Sequence, residues 1–154
     1  MNPLLTTLLE VQHLYAVQSH AIDGGDAEGW ADTFVPDGAF VSPTYDAPVR
    51  GRDALTAFAR DLHTAAPHLH HLITNVAVRP ADAPGEYRVR ANLLIVTTHD
   101  LAGGAARIDR ITTIDDRLRR TPGHPEELRL VSRHVTRDGA APDTTAPQQK
   151  EHHP

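Results

Sequence analysis

The chain has 154 residues, a net charge of -5 and no cysteine. That length suits one domain with a real core; the acidic balance leaves no basic face for a phosphate backbone, so no nucleic-acid partner is expected. The absence of thiols excludes disulfides, cysteine nucleophiles and zinc–thiolate sites. With no 18-residue apolar run and no charged-then-apolar leader, neither membrane association nor a signal peptide is predicted, and the expected location is cytoplasmic.

Leu4, Leu8, Val11, Tyr15 and Ile22 recur at helical spacing, with Leu5, Leu9, Leu14 and Val17 widening the apolar face. This predicts a long first helix buried along much of its length. Gly24-Gly25 can supply the left-handed residue that stops it. Asp26 is a good N-cap for a short second helix running through Trp30 and Phe34, with Glu28 favourable in its first turn. Pro36-Asp37-Gly38 reads as a turn, and Ala39 to Ser42 as a strand.

Gly51-Arg52-Asp53 opens a third helix with Leu55, Phe58, Ala59 and Leu62 as its stripe, ended by Pro67. Strands are predicted over about 69–79, 86–99 and 106–117, joined by Pro80 to Gly85 and by Gly103-Gly104. After a loop at 121–125, Leu128 to Arg137 is the last strand. From Asp138 the sequence has nothing to bury, and 138–154 is expected to be a disordered tail. Helices first and an antiparallel sheet afterwards is an α+β pattern. In the middle strand Val89, Ala91, Leu93 and Ile95 alternate with Arg88, Arg90, Asn92, Leu94 and Val96. The second set suits partial burial against another subunit.

Several residues could carry chemistry. On a strand, His71, Ile73 and Asn75 share one face, while His70, Leu72 and Thr74 share the other. An imidazole with an ordinary pKa near 6.5 suits proton transfer at neutral pH; the plainer alternative is a hydrogen-bonded core histidine. Asp23 falls on the helical face of Leu5, Leu9, Gln12 and Ala16. There it meets the negative end of the helix dipole, a cost of about 0.3–1 kcal/mol that a nearby imidazolium would offset. Its alternative role is a solvated helix end. Tyr15, two turns earlier, is either a donor to a substrate oxygen or a core residue. Trp30, Phe34, Phe40 and Phe58 read as pocket wall or core, and Asn75 as a substrate-positioning amide. His99 shares parity with Val89 to Thr97 but abuts the Asp100–Gly104 turn. His68, His70 and His71 split between two faces, so no metal is expected.

The stretch His71-Leu72-Ile73-Thr74-Asn75-Val76, taken with Asp23-Gly24-Gly25-Asp26, resembles the nuclear transport factor 2-like superfamily, especially its SnoaL-like and scytalone-dehydratase-like branches. The resemblance spans roughly residues 4–137. It implies a cone-shaped α+β domain, about three helices packed on a strongly bent antiparallel sheet, and no cofactor. His71 corresponds to the pocket histidine, Asp23 to the aspartate that orients it, and Asp26 to the cap of the next helix. With the residue-based readings of Tyr15, Asn75, Trp30, Phe40 and Phe58, the expected catalytic set is His71, Asp23 and Tyr15, with substrate contacts from Asn75, Trp30, Phe40 and Phe58; the resemblance adds a carry-over of a second pocket histidine to His99. Asp109-Arg110 and Arg133-His134 fall where relatives often carry Asp and Arg on the last strands, with structural ion pairing along the sheet as the expected role. Relatives also tend to carry a tryptophan at the start of the last strand, where this chain has Leu128. The implied activity is dehydration, isomerisation or cyclisation of a hydrophobic oxygenated small molecule, such as a polyketide-like metabolite, by a homodimer. The rival implication is a non-catalytic binding or assembly subunit, like the small subunits of ring-hydroxylating dioxygenases.

Overall fold

The computed structural model describes residues 2–123 and 127–139. The tail expected from Asp138 lies outside the described residues apart from Asp138 and Gly139, and so do His124 and Pro125 of the loop before the last strand. Helix α1 spans Pro3–Asp23, with Asn2 accepting from the Leu4 N–H at its N-terminus. Its buried residues are Thr7, Val11, Tyr15, Gln18, Ser19 and Ile22, a single i, i+4 stripe. The wider apolar face expected from the sequence is not covered: Leu5, Leu9 and Val17 are exposed. The helix lies against the sheet along one stripe, and the Leu5–Leu9–Gln12–Ala16 side stays open.

The end of α1 sets up the site. Gly25 adopts φ +83, the Asp26 N–H donates to the Ala21 carbonyl at 2.8 Å and the Gly25 N–H to the Ile22 carbonyl at 3.4 Å. This is a glycine-terminated helix end in which the left-handed residue turns the chain sharply. Asp26 then caps α2 (Ala27–Asp32), accepting from the Gly29 N–H at 2.9 Å.

Helix α2 ends two residues before Phe34. The Thr33 carbonyl accepts from the Leu130 N–H at 2.9 Å, so the chain joins the sheet there, and Phe34 belongs to strand β1 (Phe34–Val41). The expected turn at Pro36–Gly38 is a bulge within that strand, between its Phe34 and Ala39 pairings with the last strand. A two-residue strand, β2 (Val49–Arg50), pairs antiparallel with β1; two residues carry too little periodicity to be seen in sequence. Helix α3 spans Arg52–Ala65. Ala66, at φ -141, is pushed out of helical space by Pro67.

Strands β3 (Leu69–Pro80), β4 (Glu86–Asp100), β5 (Ala105–Thr121) and β6 (Glu127–Thr136) form a meander. The six-stranded sheet has the order β2-β1-β6-β5-β4-β3. The α+β architecture is the expected one, with one addition: β1 and β6 run parallel, because the long connection through α3 and the meander brings the chain back in the same direction. The inner face carries Val89, Ala91, Leu93, Ile95, Ile114, Leu118 and Leu130, packed against the helices' Val11, Trp30 and Leu55. Leu128 joins this core. Among the described residues no helix is long and apolar enough to cross a membrane.

Candidate active site

Asp23 is the last residue of α1, and the sharp exit after it leaves its carboxylate beside the edge strand β3. Oδ1 lies 2.6 Å from His71 Nδ1, and Oδ2 accepts from the His71 backbone N–H at 3.0 Å. Both oxygens therefore hold one residue, by its backbone and by its ring. The carboxylate at the unfavourable helix end thus has donors that offset the dipole. An ionised carboxylate only accepts, so it selects the tautomer with the proton on Nδ1. Nε2, with no protein partner among the described residues, is left as a base. Both side chains are largely but not fully buried, 14% exposed for His71 and 13% for Asp23. His70 faces outward and approaches Asp23 Oδ2 only to 3.9 Å.

His71 lines a cavity of about 80 Å³ inside the domain. Trp30 from α2, Phe40 from β1, Phe58 from α3 and Tyr45 from the connecting loop wall it. Their rings pack on one another, with centroids 5.0 Å apart for both the tilted Phe40–Phe58 and the edge-to-face Tyr45–Phe58 contacts. The sheet contributes Leu93, Ile95, Thr112, Arg110 and Arg133. On its other side the Asp23–His71 pair borders an open groove of about 710 Å³ between α1 and β3, where Gln12, Ala16 and His20 face His70 and Thr74. The groove is larger, but the cavity is where the imidazole, the aromatic rings and the guanidinium converge.

The sequence-predicted residues are distributed unevenly around this centre. Trp30, Phe40 and Phe58 form the cavity wall. Asn75 does not share the face of His71: it adopts φ 55 at a bulge that adds one residue to β3 between Thr74 and Ala77. The extra residue reverses the alternation, and the Asn75 amide donates to Asn92 Oδ1 at 2.8 Å on the exposed side. His99 is exposed near the β4–β5 turn and is not among the lining residues of either space. A second register shift, between Thr98 and Asp100, breaks the parity that would have aligned it with Ile95. Among the described residues no three His, Asp or Glu side chains gather as a metal site.

Tyr15 is buried, and its hydroxyl donates to Asp116 Oδ2 at 2.6 Å. Asp116 also accepts from Arg133 Nη2 at 2.7 Å and from Nε at 2.9 and 3.1 Å. Burial, then the Asp116 charge, push the Tyr15 hydroxyl well above the ordinary tyrosine range, so it stays protonated. Burial opposes the Arg133 charge, but Asp116 outweighs it and holds the guanidinium above its usual value. This network is not visible from sequence. Ile114, Asp116 and Leu118 do alternate as one inward face, so a carboxylate between two core residues is the available signal. Arg133 is expected from the resemblance to ion-pair along the sheet, and it does so with Asp116, but its inward facing is not legible: counting by twos from Leu128 and Leu130 places it outward, and only the extra residue Val131 in β6 turns it in. Arg110, expected to ion-pair along the sheet, instead donates from Nη1 to Thr44 Oγ1 at 2.9 Å and lines the cavity; Tyr45 escapes the sequence pattern.

The SnoaL-like domain model matches residues 3–134. The chain belongs to the SnoaL-like family. Among solved structures it is similar to Aln2 from a Streptomyces species, with 30% identity over 90% of this chain and 93% of that one and a TM-score of 0.74. It is 28% identical to ActVI-ORFA from Streptomyces coelicolor, over 90% of this chain and 99% of that one, with a TM-score of 0.76. A protein from Catenulispora acidiphila, solved in complex with S-DNPA, is 31% identical over 87% of this chain and 95% of that one, with a TM-score of 0.73. No curated protein matches the sequence significantly. These relatives share the nuclear transport factor 2-like fold expected for a SnoaL-like domain.

Proposed function

We propose that this SnoaL-like protein is a cofactor-independent acid–base enzyme acting on a hydrophobic, oxygenated small molecule. One observation carries the reading: the 2.6 Å contact between Asp23 and His71 in the wall of an aromatic-lined cavity. The base Nε2 abstracts a proton from the carbon beside a substrate carbonyl, Asp23 stabilises the imidazolium, and the same imidazolium returns the proton as general acid. Dehydration, double-bond isomerisation and aldol-type cyclisation share that first step. A polyketide-like metabolite is the proposed substrate class, by analogy with the SnoaL-like family to which the chain belongs.

The cavity's 80 Å³ is below the roughly 300–1,000 Å³ of ordinary small-molecule sites. A larger substrate would enter by displacement of the Tyr45 ring, the wall residue that is 40% exposed and sits on the loop between β1 and β2. The proposed assembly is a homodimer through the sheet's outer face, where Leu72, Leu94 and Ile111 stand directly opposite one another on adjacent strands. Leu72 and Ile111 are exposed there. The same row favours the second reading, a non-catalytic assembly subunit.

The test is hydrogen exchange at the α-carbons of 2-tetralone in deuterium oxide, followed by proton NMR. The wild type is expected to accelerate exchange, and His71→Ala to lose on the order of 10²–10⁴ of that rate. No acceleration by the wild type, or full acceleration by His71→Ala, would move the assignment to the assembly subunit.

A further inference from the structure

Two guanidiniums border the cavity without a part in the proton transfer, Arg110 and Arg133; Arg110 donates to Thr44 on the exposed side. Arg133 is 4% exposed, yet it lines the cavity together with His71. Its Nε and Nη2 are taken by Asp116; among the described residues Nη1 has no hydrogen-bond partner. Asp116 itself is sealed, with its side chain 0% exposed and absent from the cavity lining. The guanidinium is therefore already neutralised by Asp116, and one of its nitrogens has no protein partner among the described residues.

We propose that Arg133 is the oxygen-binding residue of the site, its Nη1 donating to the carbonyl oxygen of a neutral ketone substrate whose α-carbon faces His71. This rests on the acid–base reading of His71. When Nε2 takes the α-proton, the C–H electron pair forms the new C=C bond and the carbonyl π pair moves onto oxygen. The enolate oxygen gains the charge, Arg133 keeps its protons, and His71 later returns its proton to carbon or oxygen. Because Asp116 balances the guanidinium, the site gains little from an oxygen that is uncharged in the ground state and much more as charge builds on it. That difference is what lowers a barrier. Asp116 and Tyr15 are positioning residues, fixing the guanidinium plane in place before the reaction.

The probe is 2-naphthol, the aromatic counterpart of the 2-tetralone enol, with ionisation of the bound probe read by ultraviolet absorbance. Burial alone raises a phenol's pKa, so a lowering reports a donor at the oxygen. With the full-length wild-type chain the bound probe is expected to ionise about one pH unit lower than in water, a tenfold change. Arg133→Gln combined with Asp116→Asn, which leaves no unpaired charge, is expected to abolish the lowering, and His71→Ala to keep it. Should that double variant fail to fold, Arg133→Lys in tetralone exchange is expected to lower kcat about 10²-fold with little change in KM. An unchanged ionisation in the double variant, loss of the lowering in His71→Ala alone, unaltered kcat in Arg133→Lys, or no saturable naphthol binding would each overturn the proposal. The naphthol readout needs no turnover, so it fails or succeeds independently of His71 as base.

Discussion

Two of the aspartates with cationic or imidazole partners lie at the candidate site, Asp23 and Asp116, and the contrast between them separates the proposed reactive pair from a permanent one. Asp23 and His71 meet at the seam between α1 and β3, each still in touch with open space. Asp116 and Arg133 meet on adjacent strands, directly opposite one another, in a core where their side chains are 0% and 5% exposed. An imidazole can lose its charge in the physiological range, whereas a guanidinium cannot. The first pair can move a proton. The second holds a fixed positive charge and a shape.

Removing one partner should therefore cost very different amounts of stability. Asp116→Ala leaves Arg133 buried without a counter-charge and is expected to lose about 3–5 kcal/mol of unfolding free energy. Asp23→Asn leaves a neutral side chain that can still accept a hydrogen bond from His71, and should lose less, about 1–2 kcal/mol. Urea denaturation of the two variants decides this; equal losses would erase the distinction. Tyr15→Phe removes one of the donors to Asp116 and should cost about 1–2 kcal/mol. Next in size, Leu72→Glu with Ile111→Glu is expected to convert a dimer to a monomer with little change in the cavity, measured by light scattering; a monomeric wild type would contradict the proposed assembly.

The smallest expected effect is on pH dependence. Tyr15 has a raised pKa in the folded state, so its contribution is complete below the unfolded tyrosine pKa near 10 and fades as pH rises toward the folded value. The stability advantage of wild type over Tyr15→Phe should therefore shrink above about pH 10. An advantage that stays constant or grows there would contradict the burial of that hydroxyl.

How far the sequence can be read follows from where the strand alternation holds. In β4 the inward set Val89, Ala91, Leu93 and Ile95 is strictly alternate, and the sequence places all four on one face as the structure does. His71 and Asp23 are accessible because one lies before any bulge in β3 and the other ends a helix at a glycine pair. Asn75, His99 and Arg133 each lie at or beyond an inserted residue, and a single insertion moves every later side chain to the opposite face. The α1 face fails for a different reason. Apolar periodicity marks which residues can be buried, whereas the stripe that is buried depends on how the helix meets the sheet, and polar Thr7, Gln18 and Ser19 occupy it. Gln18 is accommodated by donating to Thr33 Oγ1 at 2.7 Å, a contact no local pattern announces.

The most direct test of the reactive pair is a double-mutant cycle on 2-tetralone α-proton exchange with Asp23→Asn, His71→Ala and the combined variant, all checked for folding. If the two residues act as one unit, each single variant loses most of the enzymatic rate and the combined variant is little worse than His71→Ala alone. Losses that multiply, or an Asp23→Asn variant with wild-type exchange, would show that the carboxylate does not serve the imidazole.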